Sequence, residues 1–328
     1  MSVLSGRTNE QVRHPHLPPP PPPDTHSRWH APSSSQLEAL DSLGAGGTWH
    51  VDGIDLTLTN LDKVLFPAAG GGQVVTKRDL IRHYATVAPL ILAYLADRPV
   101  NLQRFPNGIG SKGFWQKEVP SNAPGWFGRW HDDHARVGRT EWYSVLDRPA
   151  ALVFMANLAA VELHPWTSTC AAQMMPSWAL IDIDPGGSTT FDDVVVLARL
   201  YRTALEHLGL RACAKTTGQR GLQIWVPVAP RYTFDQTRAW VEQLSRMVAS
   251  FVPELVSWNW RTDERGGLAR LDFTQNAPHR TTRRALVRTS RPRGAGVGAH
   301  RLVRDRRSGP ARQPLAVGGR PHPDRAGR

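Results

Sequence analysis

The sequence predicts an α+β fold (mixed α/β), a sheet flanked by helices with disordered termini. Three observations predict it. Period-two apolar segments alternate along the middle of the chain with segments of helical period. Short polar caps and Gly/Pro stops separate the two kinds. Finally, the composition changes abruptly near residues 45 and 282.

The elements follow in order. Residues 1–45 hold the strict proline run Pro18 to Pro23 and the string SSSQ, with few apolar side chains to offset ordering entropy, and read as a disordered tail. Thr76 is an N-cap candidate for KRDLIRHYATVAPLILAYL, with Asp79 placed to complete a capping box. ALVFMANLAAVELHPW reads as a second apolar helix ending before Pro165. WALIDID is a strand stopped by Pro-Gly-Gly. Thr190 caps a helix whose Asp192 and Asp193 suit its first turn and whose Gly209 suits its end. LQIWVPV (222–228) is a strand, the segment from Thr233 a helix, and GGLARLDF (266–273) a further strand. The central body is therefore 46–282. The segment 283–328 has no sustained period and reads as an Arg-rich disordered tail.

Length and charge bound the function classes. A chain of 328 residues has room for a sizeable core. The net charge of +12 suggests nucleic acid, yet thirteen Arg, no Lys and two Asp fall between Arg283 and Arg328, so the tail holds +11 of it. Whatever the body binds must come from local groups. Cys170 and Cys213 form no C-x-x-C pair and supply no thiolate zinc site alone. With no apolar run near 18 residues and no signal-like start, a soluble cytoplasmic, nucleoid-associated protein without a membrane partner is expected.

The chemistry concentrates in three places. In WALIDIDPGG the period of two puts Asp182 and Asp184 on one face, where close carboxylates repel unless a cation lies between them. A metal site is one reading; the other is that Asp184 opens a turn and Asp182 faces water. KTTGQRGLQIWV places Thr217, Gly218, Arg220 and Gly221 ahead of a strand, a loop able to hold phosphate oxygens. RLDFTQN adds Asp272. Three carboxylates beside a basic phosphate loop are what two-metal phosphoryl transfer requires.

These segments, with LTNLDKVLFP, RFPNGIGSKGFWQK and VELHPW in the same order, resemble the polymerase domain of bacterial ligase D, in the archaeo-eukaryotic primase superfamily. The resemblance runs from about residue 58 to 282. It implies a primase-polymerase-like catalytic sheet and a template-dependent nucleotidyltransferase that adds nucleotides at gaps or broken DNA ends in end joining. It also implies two-metal catalysis, usually with manganese, often with a preference for ribonucleotides. On it, Asp182, Asp184 and Asp272 are metal ligands. Thr217, Gly218 and Arg220 hold the triphosphate, and His164 and Gln275 contact the incoming nucleotide. Asn60, Lys63 and Lys77 form a pocket for a downstream 5′-phosphate, Phe114 and Trp115 pack on template bases, and Lys117 lies near the backbone.

The sequence departs from the family pattern twice. Gln223 stands where many relatives have histidine, and after Thr282 the string TTRRALVRTS replaces a segment that carries an Arg for the triphosphate. That switch is what a high-GC gene yields when translated out of frame, so the tail reads as a frameshift product, with a natural basic arm as the alternative. A K-x-D-G ligase signature is absent, so polymerisation would be joined to sealing by a separate ATP-dependent DNA ligase and an end-binding protein. The rival readings are a non-catalytic DNA-end or 5′-phosphate-binding module and a two-metal nuclease using the same acids.

Overall fold

The computed structural model describes residues 29–68, 73–135, 141–217, 220–229, 231–278 and the backbone of 299–301. Helix α1 (Ser34–Ser42) opens it, with Ser33 and Gln36 closing a capping box and Leu40 fully buried. This corrects the boundary expected at residue 45. The segment has one apolar anchor and one cap, and Arg78 holds its end by donating to the carbonyls of Leu40, Leu43 and Gly44. Residues 1–28 lie outside the described residues.

Two sheets organise the described residues. After the hairpin of β1 (Gly47–Val51) and β2 (Ile54–Leu58) come the short β3 (Val64–Phe66) and β4 (Val75–Thr76), then α2 (Lys77–Leu95). The first large sheet holds β5 (Pro99–Arg104), β6 (Phe114–Gln116), β7 (Arg129–His131) and β8 (Trp142–Val145). Helix α3 (Pro149–Asn157) leads into its last strand, β9 (Ala160–Pro165). Strand β5 pairs with β6 and β8 on one side and β9 on the other. Val100, Leu102, Val161 and Leu163 face a core shared with α2 and α3.

The stretch ALVFMANLAAVELHPW is thus not one helix. It turns at Ala159, which adopts a positive φ of 55°, and continues as β9. All six β9 residues are buried, and the alternation Val161-Glu162-Leu163-His164 covers only four residues directly after an apolar helical run, too short to mark the change of period.

The small hairpin of β10 (Ser168–Thr169) and β11 (Ala172–Pro176) leads to the second sheet. There β12 (Trp178–Asp184), β13 (Cys213–Thr216), β14 (Leu222–Pro227), β15 (Arg270–Asp272) and β16 (Ala299–Arg301) lie in the order β15-β12-β14-β13-β16, every pairing antiparallel. Ala179, Ile181, Ile183, Ile224, Val226, Ala214 and Leu271 form its apolar face, packed with α4 (Phe191–His207) and α5 (Phe234–Phe251) into a second core. Strand β16 lies in the tail expected to form no packed element and covers the edge of β13. The rest of 283–328 lies outside the described residues.

The caps read from sequence at Thr76 and Thr190 are present, and Thr233 adds a third. Thr76, Thr190 and Thr233 each accept from the backbone N–H three residues on, and the side chain there returns the bond. Gly209 ends α4 with φ 68°. Thr190→Ala is expected to cost about 1 kcal/mol, read as a lower midpoint in urea, because two backbone N–H groups lose their acceptors or their geometry.

Candidate active site

Alternation along the second sheet sorts its side chains, and register aligns what remains on the polar face. Asp182 lies opposite Asp272 on one side and Gln223 on the other, and Gln223 lies opposite Lys215. One row across four strands therefore reads Asp272, Asp182, Gln223, Lys215. Asp184, two residues on, lies opposite Arg270.

Asp182 is part-buried, and its carboxyl is pushed up to about 7, first by burial, then by the negative charges of Asp184 and Asp272. The Gln223 side chain and the Lys215 charge pull the other way. Asp184 is 53 % exposed at the end of β12 and is held by Arg265, whose Nη1 donates to its Oδ2 at 2.9 Å. Asp272 is buried; Thr274 donates to it from its backbone N–H and its hydroxyl, and Gln275 Nε2 donates to its other oxygen at 2.8 Å. Arg270 Nη2 stands 3.7 Å away.

The donor set suits a hard divalent cation: three carboxylates on adjacent strands, whose mutual repulsion such a charge would relieve. Among the described residues, no group of three or more His, Cys, Asp or Glu side chains is arranged to hold a metal ion as it stands. All three carboxylates are engaged by neighbours, Asp182 by Gln223, Asp184 by Arg265 and Asp272 by Thr274 and Gln275. The donors fit in kind and register, and their free oxygens would need to turn toward a common ion.

The loop expected to hold phosphate joins β13 to β14, on the far side of β12 from β15. Thr217 donates from its hydroxyl to Gly221 O at 3.2 Å, and Arg220 Nη2 donates to Gly186 O at 2.7 Å, which ties the loop to the turn after Asp184. Gly218 lies outside the described residues. Gln223 is buried, with no hydrogen-bond partner for its Oε1.

His164 stands elsewhere, on β9. Its Nε2 meets the fully buried Glu162 carboxylate at 3.0 Å, and Trp115 lies edge-on to it with ring centroids 4.7 Å apart. Register adds Asn101 and Gln103 to this face, each with a buried side-chain oxygen lacking a hydrogen-bond partner. Phe114 and Trp115 are both exposed, and Lys117 is exposed beside them.

A third cluster is cationic. Asn60 takes φ 51° to turn the chain, Lys63 N donates to Asn60 O, and Lys77 N donates to Lys63 O. Lys63 Nζ donates to Asn107 Oδ1 at 2.8 Å and Lys77 Nζ to Thr59 O at 2.8 Å. Burial, then the charges of Lys63 and Arg104, lower Lys77 to about 8. Arg104 is a residue the sequence reading passed over. It bonds Leu158 O and Gln116 Oε1 and lies 5.1 Å over the Phe114 ring, joining the lysines to the aromatic pair. Arg265 and Arg270 were also missed. Their only sequence signal is that one arginine precedes the GGLARLD segment and the other lies within it, two residues before Asp272.

The comparisons with known proteins bear on the family and the fold. The family model described as LigD, primase-polymerase domain, matches residues 76–295. It extends past Thr282, where the sequence reading ended the resemblance. The multifunctional non-homologous end joining DNA repair protein LigD of Mycobacterium tuberculosis is 31 % identical over 235 residues, covering 69 % of this chain and 30 % of that protein. The bifunctional non-homologous end joining protein LigD of Bacillus subtilis is 27 % identical over 228 residues, covering 69 % of this chain and 35 % of that one. The chain thus spans about a third of the length of these relatives. The solved polymerase domain from Mycobacterium tuberculosis ligase D in complex with DNA superposes with a TM-score of 0.65 at 27 % identity, over 74 % of this chain and 86 % of that one.

Proposed function

This chain belongs to the LigD primase-polymerase domain family, and from that premise we propose that it is a template-dependent nucleotidyltransferase adding nucleotides at gaps or broken DNA ends during end joining. The observation that supports this most is the row Asp272, Asp182, Gln223, Lys215 beside the Thr217 to Arg220 loop. It puts acid for metal and a basic loop for phosphate on neighbouring strands.

In this reading Asp182, Asp184 and Asp272 would hold Mn²⁺ or Mg²⁺, which when bound neutralises charge at the reacting phosphate and lowers the pKa of a 3′-hydroxyl. Arg220, with Thr217, orients the triphosphate of the incoming nucleotide. Gln275, fixed on Asp272, and His164, fixed by Glu162, position its sugar and base. Phe114 and Trp115 stack on the template, and Lys117 steadies its backbone. Asn60, Lys63 and Lys77 take the downstream 5′-phosphate of a gap. Sealing falls to an ATP-dependent ligase activity, with an end-binding protein presenting the break.

Primer extension on a gapped duplex with either metal tests the reading, added nucleotides being the expected result. One observation favours a non-catalytic DNA-end module instead: the engagement of Asp184 and Asp272 by protein groups. Gap binding without extension in both metals would support that alternative.

The phosphate pocket predicts a pH effect. Lys77 titrates near 8 when free, and a bound phosphate favours its charged form, so binding above that pH must take up a proton. The preference for a gap bearing a 5′-phosphate over one ending in hydroxyl is expected to fall as pH rises from 7.5 to 9.5, approaching tenfold per unit. Lys77→Arg should flatten that profile, because guanidinium stays charged. Lys63→Ala should lower the preference at every pH. Equal losses on both gaps would remove the pocket from the reading.

A further inference from the structure

We propose that Trp260 is a stacking platform for the terminal base of the primer strand, the strand whose 3′-hydroxyl is extended. The identity of that strand rests on the polymerase reading; the platform itself rests on geometry. Trp260 is 64 % exposed, yet it is held from two sides. The Arg270 guanidinium lies 4.4 Å from the centre of its indole ring. Arg265 donates from Nη2 to Trp260 O at 2.9 Å and from Nε to Asn259 O at 3.1 Å.

Both arginines are buried, and both also address the acidic cluster. Arg265 Nη1 holds Asp184 at 2.9 Å, and Arg270 Nη2 stands 3.7 Å from Asp272. A single guanidinium therefore links the Trp260 backbone to the Asp184 carboxylate. An isolated exposed aromatic is ordinary on a protein surface. One held by two buried cations that also hold the acidic residues is preorganised, so little side-chain freedom remains to be lost when a ring stacks on it.

Sheet order selects the occupant. The phosphate loop connects β13 to β14, on one flank of Asp182, and β15 with its preceding loop lies on the other. A nucleotide with its phosphates at Thr217 and Arg220 therefore leaves the Trp260 flank for the strand that attacks. Every base offers a π face, so the contact needs no sequence preference.

The test uses the full chain and a recessed duplex with 2-aminopurine at the primer 3′ end, its fluorescence and anisotropy titrated with metal chelated and nucleotide absent. Wild type is expected to quench the probe. Trp260→Ala should abolish the quench and weaken binding about tenfold, and Trp260→Phe should retain most of both. The Phe variant separates stacking from folding, as does an unchanged circular dichroism spectrum of the Ala variant.

Quenching by Trp260→Ala equal to wild type would overturn the proposal. So would a Trp260-dependent quench found only for a probe on the template strand, or a Trp260-dependent dimer in sedimentation with DNA binding unaltered. Extension is scored in parallel: a Trp260-dependent quench in a wild type that adds no nucleotide would sink the polymerase reading and leave the stacking site.

Discussion

Asp182→Asn is expected to abolish nucleotide addition while leaving a folded protein that binds gapped DNA. The substitution keeps shape and removes charge from the centre of the row, between Asp272 and Gln223. Losing one carboxylate there should cost several kcal/mol of transition-state stabilisation, at least about a thousandfold in rate. A second readout moves the other way. Burial and two neighbouring negative charges push the Asp182 carboxyl up to about 7. Between the ordinary carboxylate range and that value the folded protein retains a proton that the unfolded chain has released, so stability falls as pH rises from about 4 to 7. The Asn variant should therefore be the more stable protein at pH 8 with metal chelated, by about 1–2 kcal/mol. Wild-type extension by Asp182→Asn, or by the equivalent Asp184 or Asp272 variants, would remove these residues from catalysis. A lower midpoint for Asp182→Asn would show that the repulsion is already neutralised.

Gly186→Ala is expected to be the most damaging single methyl group near the site. A Cβ at this position would lie 2.2 Å from Leu268 O and 2.3 Å from Gly267 O, both rigid backbone. The same turn accepts Arg220 through Gly186 O, donates from Gly186 N to Thr189, and joins Gly267 through Ser188 N and the Thr189 hydroxyl. Relief of the clash must separate the Asp184 turn from the strand carrying Asp272, or release Arg220, so loss of stability and loss of activity should come together. The expected cost is about 1–3 kcal/mol, with extension reduced even at temperatures where the variant is fully folded. Gly187, where an added methyl would meet nothing within 4 Å, is the control: Gly187→Ala should be nearly neutral. Equal midpoints for the two variants would show that the close approach at Gly186 is not limiting.

What the sequence determined by itself was local. The threonine caps at Thr76 and Thr190 were legible because a capping box is closed within four residues, and the WALIDID strand because one of its faces is apolar and the other carries Asp182 and Asp184. Ordered motifs from RFPNGIGSKGFWQK to RLDFTQN were enough to identify the family. Strand β9 was not legible, since its alternation, Val161-Glu162-Leu163-His164, lasts only four residues and follows an apolar helix without a break. Nor was α1, whose place depends on Arg78, more than 30 residues away along the chain.

Only the tertiary structure decided how the acids are arranged. Antiparallel register set Asp272, 90 residues from Asp182, directly opposite it, and placed Gln223 and Lys215 in the same row. The fold also buried Lys77 next to Lys63 and Arg104, which lowers its pKa to about 8. It set Arg265 on Asp184 and Arg270 beneath Trp260, pairings between residues that no local pattern connects. A side chain's charge and shape are properties of its sequence position, but the charges and dipoles that act on it most strongly are the nearest ones, so the groups that tune it are those the fold brings near.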